Sequence, residues 1–528
     1  MKDTYITRYQ RAYELYQAKK YWQVEDYLRT LWRNSSTKTI NEMLLLSYAY
    51  REQEKYLSEI AVLEEMVRLF VHSNDKKRLA SAYSLLGAAY RTLGRGKKAV
   101  QAFLSSAKNE PNVEQKLVET SNAIFSANSI ASFNDGDFNE LYKIYRRHLK
   151  KLDITPYEPK NYQHDKLRIG YLSADFREHP VAGYIRCLLN DFDSEKFSVY
   201  CYALDKTEDE VTEKLKDKAI WKNVSGSSHS EIASVIRDDE IDILVDLGGH
   251  TAENALPVLA YRAALVQLSG IGYFNSTGLN ECDGFLADVY TDPEETSPYF
   301  VEKLIRLPHS HFCYQPLTKF PKITDNIPAM RKGYVTFGSF NNLAKVTDEM
   351  LIVWREILNR VPKSELVLKH KLVRSAEGRS YMLDRLKSLN LPLDRIDLRA
   401  YSDNYLQEYN GIDIALDTAP YNGGATTCEA LYMGVPVVSL IGGRHGSRFG
   451  YSFLSNINMQ ELAAKDLANY IEIAIKLASD YDLLAALRDK LRSIMQKSPL
   501  MDANGYVRDM ENVYTNCYAQ AAAKLGAE

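Results

Sequence analysis

At 528 residues the chain is too long for one hydrophobic core, and ordinary domain sizes divide it into about three domains. With 45% hydrophobic residues, 26% charged residues and a formal net charge of −3, it is neither a disordered chain nor a polycation with a global nucleic-acid footprint. Its six cysteines form no Cys-x-x-Cys pair, no run of about 18 uncharged apolar residues occurs, and the first residues lack a secretory pattern. The expectation is a cytoplasmic protein with reduced, buried thiols.

Residues 1–160 read as a helical repeat domain with a linker at its end, rich in Tyr, Leu, Ala, Lys and Glu and without strand-like alternation. Tyr83, Leu86, Gly87, Tyr90, Ala99, Phe103 and Pro111 occupy the spacing of a tetratricopeptide repeat, in which small residues let two antiparallel helices meet and proline ends the second. Leu46, Ser47 and Tyr50 echo the first helix of that unit, and Ala12, Tyr13 and Tyr16 echo it again. Such a stack offers a face for a partner protein or peptide, or it props up the next domain. Asp135-Gly-Asp137 falls in this region and is not read as a metal site.

Two prolines and clustered polar residues mark a linker over 149–165. Short apolar strands at 167–172, 197–203, 241–246 and 266–273 then alternate with helical stretches such as 231–237, which predicts a parallel sheet covered on both faces over 161–325. A proline- and lysine-rich break over 316–333 precedes a second series within 326–528, with strands at 334–338, 365–369, 395–399, 412–416 and 436–440. After Leu467 the chain is helical to its end, and one of these last helices is expected to cross back and tie the two sheets together. Two doubly wound lobes of this kind bind ligands at the C-terminal ends of their strands.

The most telling segment runs from Asn422 to Pro436. It reads as a glycine loop after a strand, a helix beginning near Thr426 and Thr427, and a second strand. Gly423 and Gly424 let the backbone approach a ligand closely, and the amides of a helix start suit a phosphate. Glu429, one turn into the helix, is placed to accept hydrogen bonds from ribose hydroxyls. The same glycines would also serve an ordinary turn, but Gly434 and Pro436 close the helix where a parallel unit requires it.

The ordered motifs Leu167-Arg-Ile-Gly-Tyr-Leu-Ser-Ala-Asp-Phe-Arg-Glu-His-Pro180, Asp242-Ile-Leu-Val-Asp-Leu-Gly-Gly-His-Thr251, Phe337-Gly-Ser-Phe-Asn-Asn-Leu-Ala-Lys345, Leu416-Asp-Thr-Ala-Pro-Tyr-Asn-Gly-Gly-Ala-Thr-Thr427 and Gly443-Arg-His-Gly-Ser-Arg448 resemble the protein O-linked N-acetylglucosamine transferase family. The resemblance spans 161–514 and extends to the repeats only in type. It implies a tetratricopeptide-like helical domain followed by an α/β GT-B region of two Rossmann-like lobes, the first on the acceptor side and the second binding the UDP-sugar. Two departures stand out. Gly272-Tyr-Phe-Asn275 replaces a family Gly-Tyr-Pro-Gly on the acceptor side, and Tyr405 stands where a uracil-stacking histidine is common, which keeps a flat ring.

The resemblance also implies roles. Lys345 matches the lysine that contacts the donor diphosphate, with Asn342 in the same motif, and charge stabilisation of the leaving oxygen is what the reaction demands. Arg399, Ala400 and Tyr405 match the uracil site, Glu429 the ribose site, and Asn422, Gly423, Gly424, Thr426 and Thr427 the sugar and diphosphate site. His179 resembles the histidine near the reacting centre and is a candidate general base; His250, after a predicted strand, is a second candidate that would otherwise shape the acceptor site. His445 and Arg448 belong to the pocket neighbourhood, Arg448 as a loop brace.

With a lysine and a helix start supplying positive field, the scheme needs neither a metal nor a separate cofactor. The leading expectation is inverting transfer of N-acetylglucosamine from UDP-GlcNAc to Ser or Thr hydroxyls of a protein, which the repeats help to hold. Alternatives are another UDP-hexose, an asparagine acceptor, or a non-catalytic adaptor with a worn nucleotide pocket.

Overall fold

The computed structural model describes residues 5–34, 37–294 and 299–527. Helical repeats precede two α/β regions built on parallel sheets, as the sequence pattern predicts. The chain divides into two compact units, one made of 1–131 with 338–403 and the other of 132–337 with 404–528.

In the first unit the repeat helices run in pairs: Tyr5–Gln17 with Tyr21–Asn34, Ile40–Glu52 with Tyr56–Phe70, and Lys76–Thr92 with Gly96–Asn109, followed by Val113–Ala127. Local chemistry sets their starts. Thr39 and Glu42 form a reciprocal capping box, and the side chains of Asp75 and Asn112 accept amide hydrogen bonds at the starts of Lys76–Thr92 and Val113–Ala127. Gly87 explains the close helix pair seen in the sequence, because a β-carbon there would lie 2.7 Å from the ring of Phe103, itself 1% exposed. Two further helices lie beyond the three repeats read from the sequence, Val113–Ala127 in the first unit and Asp135–Leu149 in the second. Asp137 is used there as the reciprocal cap of Asn134.

The repeats are fixed to the α/β part of the same unit by a cap supplied in trans. Glu377 accepts from the amides of Leu57 at 2.7 Å and Ser58 at 3.2 Å, and from the Ser58 hydroxyl at 2.5 Å. A carboxylate at the start of helix Tyr56–Phe70 is favoured by the helix dipole. The Ser375 hydroxyl donates to the Glu54 carbonyl and the Tyr381 hydroxyl to the Leu93 carbonyl, both at 3.0 Å.

The second unit contains a seven-stranded parallel sheet. Its strands are β1 (Leu167–Ser173), β2 (Phe197–Ala203), β3 (Ile220–Asn223), β4 (Ile243–Asp246), β5 (Val266–Gly270), β6 (Gly284–Asp288) and β7 (Lys303–Leu307), in the order β3-β2-β1-β4-β5-β6-β7. β1 faces β2 in the register Leu167 to Phe197 and β4 in the register Ile169 to Ile243. The central strands are buried on both faces, which is why they read as continuous apolar runs. The strand series continues with β8 (Val335–Ser339), β9 (Ser364–Lys369), β10 (Ile396–Arg399), β11 (Ile414–Leu416), β12 (Val437–Leu440) and β13 (Ala463–Ala464). In the first unit β9 and β10 pair in parallel; in the second, β11 pairs with β12 and β12 with β13, again in parallel.

Helix Ala503–Ala527 does cross back to the first sheet. The Tyr514 and Tyr171 hydroxyls meet at 2.9 Å, Glu511 accepts from the Asp193 amide at 2.7 Å, and the Tyr518 hydroxyl donates to Asn161 at 2.6 Å.

Candidate functional site

The candidate residues fall at strand C-termini in both units, where parallel α/β folds place their ligands. In the first unit, the segment after β8 turns through a short 3-10 helix at Leu343–Lys345. The exposed Asn342 caps it, its side chain accepting from the Ala344 amide at 3.1 Å, and the Lys345 amide closes the turn onto the Asn342 carbonyl at 2.8 Å. Lys345 is half-buried.

A second lysine organises the uracil candidates. Lys369 ends β9, is 5% exposed, and donates to the Ala400 carbonyl at 2.8 Å and to the Ser402 hydroxyl at 3.1 Å. Its ammonium also lies 6.0 Å from the ring centre of Phe340, so it links the segment bearing Lys345 to the one bearing Ala400. Arg399 ends β10 and pairs with Asp397 at 2.6 Å, while its carbonyl accepts from the His370 amide at 2.9 Å.

In the second unit, the loop after β11 is built around the buried carboxylate of Asp417. One oxygen accepts from the Gly423 amide at 2.7 Å and the Thr418 amide at 2.8 Å, the other from the Ser439 hydroxyl at 2.6 Å. Asn422, 0% exposed, donates to the Thr418 carbonyl at 2.7 Å and braces this loop from within. Gly424 is the N-cap of helix Ala425–Tyr432 and brings no side-chain acceptor to it. Thr426 is half-buried, and Thr427 is 2% exposed with its amide already bonded to the Gly424 carbonyl at 3.2 Å.

Glu429 stands one turn further on. Withdrawal from water pushes its carboxyl up to about 7, opposed by a 2.7 Å hydrogen bond from the Tyr405 phenol. Tyr405 opens helix Tyr405–Glu408, and the Tyr409 hydroxyl reaches the Thr426 carbonyl at 3.3 Å. The structure thus gathers Tyr405, Glu429, Thr426 and the glycine loop at one place in this unit.

The two histidine candidates have different surroundings. His179 caps helix Pro180–Asn190 and is half-buried; its Nδ1 lies 3.4 Å from both the Val181 amide nitrogen and Asp175. Burial lowers its pKa below the ordinary value while Asp175 opposes the shift, so the imidazole is neutral at pH 7. His250 is 1% exposed, bonds through Nε2 to the Thr277 carbonyl at 2.8 Å, and sits among the rings of Tyr142, Tyr145 and Tyr273. Burial drops its pKa to about 4. A proton acceptor has to reach the acceptor hydroxyl, and this packing holds His250 away from solvent.

Its neighbourhood explains the unusual sequence at 272–275. Tyr273 is 0% exposed, and Phe274 stacks on Tyr421 with ring centres 4.1 Å apart. Glu302 accepts from the Ser276 hydroxyl and the Thr277 amide at 2.6 Å, and Arg146 of helix Asp135–Leu149 donates to the Gly278 carbonyl at 2.5 Å. The segment after β5 is therefore moored to the last repeat helix. His445 is fully buried and hydrogen-bonded to Asp292, and Arg448 donates to the Tyr290 carbonyl at 2.8 Å, so both secure the glycine loop's neighbourhood.

Sequence reasoning missed Asp417 and Lys369. Both adjoin recognised segments, where a charged residue ending an apolar strand is itself a signal.

Comparison with known proteins agrees with this architecture. The family model described as glycosyl transferase family 41 matches residues 141–333 and 327–510. Similar proteins include SPINDLY of Solanum lycopersicum, described as a probable UDP-N-acetylglucosamine–peptide N-acetylglucosaminyltransferase, at 38% identity over 398 residues, covering 73% of this chain and 43% of that protein. The Arabidopsis thaliana SPINDLY protein, with the same description, is 40% identical over 360 residues, 67% of this chain and 39% of that one. The chain thus spans less than half the length of these curated relatives. A Thermobaculum terrenum O-GlcNAc transferase mutant superposes with a TM-score of 0.84 over 98% of each chain at 26% identity, which makes the α/β part a GT-B fold. With more than half of its length matched by the family model, the chain belongs to glycosyl transferase family 41.

Proposed function

We propose that the protein is an inverting glycosyltransferase that moves N-acetylglucosamine from UDP-GlcNAc to Ser or Thr hydroxyls of a protein acceptor in the cytoplasm. The observation that carries the reading is the Tyr405–Glu429 pair beside the glycine-capped helix Ala425–Tyr432, a polar constellation suited to a ribose and its diphosphate. The SPINDLY relatives, described as probable UDP-N-acetylglucosamine–peptide N-acetylglucosaminyltransferases, support this donor and a peptide acceptor.

In this reading Lys345 neutralises charge on the departing diphosphate, with Asn342 supporting its turn, and Thr426, Thr427, Gly423 and Gly424 supply the close backbone approach. Arg399 and Ala400 present backbone groups to the uracil. His179 takes the acceptor proton, since it is half-buried and neutral, while His250 orders the acceptor-side segment. A groove of about 550 Å³ within the first unit, bordered by Arg29, Trp32, Lys38, Tyr50, Ser58 and Glu377, suits a segment of the acceptor. Among the described residues no helix is long and apolar enough to cross a membrane.

The test is transfer of label from UDP-GlcNAc, UDP-glucose and other nucleotide sugars onto lysate proteins, comparing wild type with Lys345→Ala and mapping the modified residue by mass spectrometry. Lysine-dependent labelling of Ser or Thr from UDP-GlcNAc is expected. Label from a different nucleotide sugar would reassign the donor, and absence of transfer from all of them would overturn the enzyme reading.

A further inference from the structure

Tyr184 has no part in the roles assigned so far. It lies on helix Pro180–Asn190, five residues after His179, and is 7% exposed. Its ring is stacked on Phe312 with centres 3.9 Å apart and planes 15° from parallel, so the phenol has little freedom to swing. Its oxygen accepts a hydrogen bond from the Ala425 amide, the first of helix Ala425–Tyr432, and would lie 3.4 Å from a β-carbon at Gly424. A helix from the first sheet thus delivers a hydroxyl to the glycine loop that follows β11.

We propose that Tyr184 is a diphosphate-contacting residue, donating its hydroxyl proton to the nucleotide's phosphate oxygens as negative charge builds on the leaving group. The inference rests on the transferase reading above and adds a residue to it.

Two features favour donation. The phenol oxygen already accepts from a backbone amide, which polarises the O–H and leaves its proton to be given elsewhere. Burial holds the phenol well above its ordinary pKa, so it stays a donor at any working pH. No bond to Tyr184 forms or breaks: the anomeric carbon–oxygen bond cleaves, its electrons stay on the diphosphate, and the phenol keeps its proton in the hydrogen bond.

Tyr184→Phe removes the hydroxyl and keeps the stacked ring. Calorimetric titration of wild type and variant with UDP and with uridine separates contact with phosphate from general disturbance of the pocket. The expected result is UDP binding about ten- to a hundredfold weaker in the variant, with uridine binding changed less than about twofold, because a hydrogen bond to a charged group is lost only with UDP. Equal losses for both ligands, or no loss for UDP, would overturn the proposal while leaving the transferase reading intact. A wild-type protein that binds neither ligand would overturn that reading and this inference with it. Should Tyr184→Phe fold poorly, 3-fluorotyrosine placed at 184 serves instead: its fluorine resonance is expected to move with UDP and not with uridine, and the same response to both would overturn the proposal.

Discussion

The phenol of Tyr405 donates to Oε1 of Glu429 at 2.7 Å, tying a helix after β10 to the one that follows the glycine loop. Tyr405→Phe tests what the bond does. Loss of the hydroxyl with the ring retained is expected to raise KM for the donor by a few-fold, and Tyr405→Ala, which also removes the ring, by about tenfold more; steady-state donor titration checks both.

Glu429 sets a pH dependence. A carboxyl held near 7 in the folded protein, above its ordinary value, binds more protons folded than unfolded, so its contribution to stability is present at low pH and is lost as pH rises towards 7. Nucleotide binding runs the other way, because ribose hydroxyls donate to the carboxylate. UDP affinity is expected to fall by roughly tenfold per pH unit below 7 and to lose that dependence in Glu429→Gln, as read by titration between pH 5.5 and about 8.

Lys345→Ala is expected to lower kcat by about 10²–10³ while leaving the melting temperature within a few degrees of wild type, the pattern of a lost electrostatic contact to the transition state on a half-buried turn.

The two histidines are expected to separate by assay. His250→Ala removes a buried ring packed on three tyrosines and strands the Thr277 carbonyl, at a stability cost of about 2–4 kcal/mol by denaturant unfolding. Because burial depresses its pKa to about 4, its share of stability is lost as pH falls from 6.5 through that value. His179→Ala is expected to cost no more than the roughly 0.5–1 kcal/mol of a long N-cap bond and to lower kcat by about 10²–10⁴, flattening the acidic limb of the rate profile.

Glu377→Gln weakens the cap on helix Tyr56–Phe70. A loss of about 1 kcal/mol is expected by thermal unfolding, with donor hydrolysis unaffected; a variant as stable as wild type would show that the cap is dispensable.

Much of this architecture is legible in the residues. The buried strands β1, β2, β9 and β12 stand out because continuous apolar runs bounded by polar turns leave little else for them to be, and Gly87 announces a close helix contact because no other residue fits beside Phe103. The strands that went unread are β3, β6, β7 and β13: β3 and β7 lie at sheet edges with exposed or half-exposed residues, β6 opens on a glycine, and β13 has two residues. At the candidate site the motifs name Glu429 and Thr426, yet Tyr184 and Glu377 meet their partners across 241 and 320 residues respectively, and nothing local to either position encodes that meeting.

The crossing back of Ala503–Ala527 has a consequence for synthesis. All seven strands of the first sheet have been synthesised once residue 307 is made, but Tyr171 and Asp193 wait for Tyr514 and Glu511. Part of that sheet's cover is made about 200 residues later, so the nascent chain carries an unsheathed apolar face through that stretch of elongation, the interval in which it is most open to aggregation.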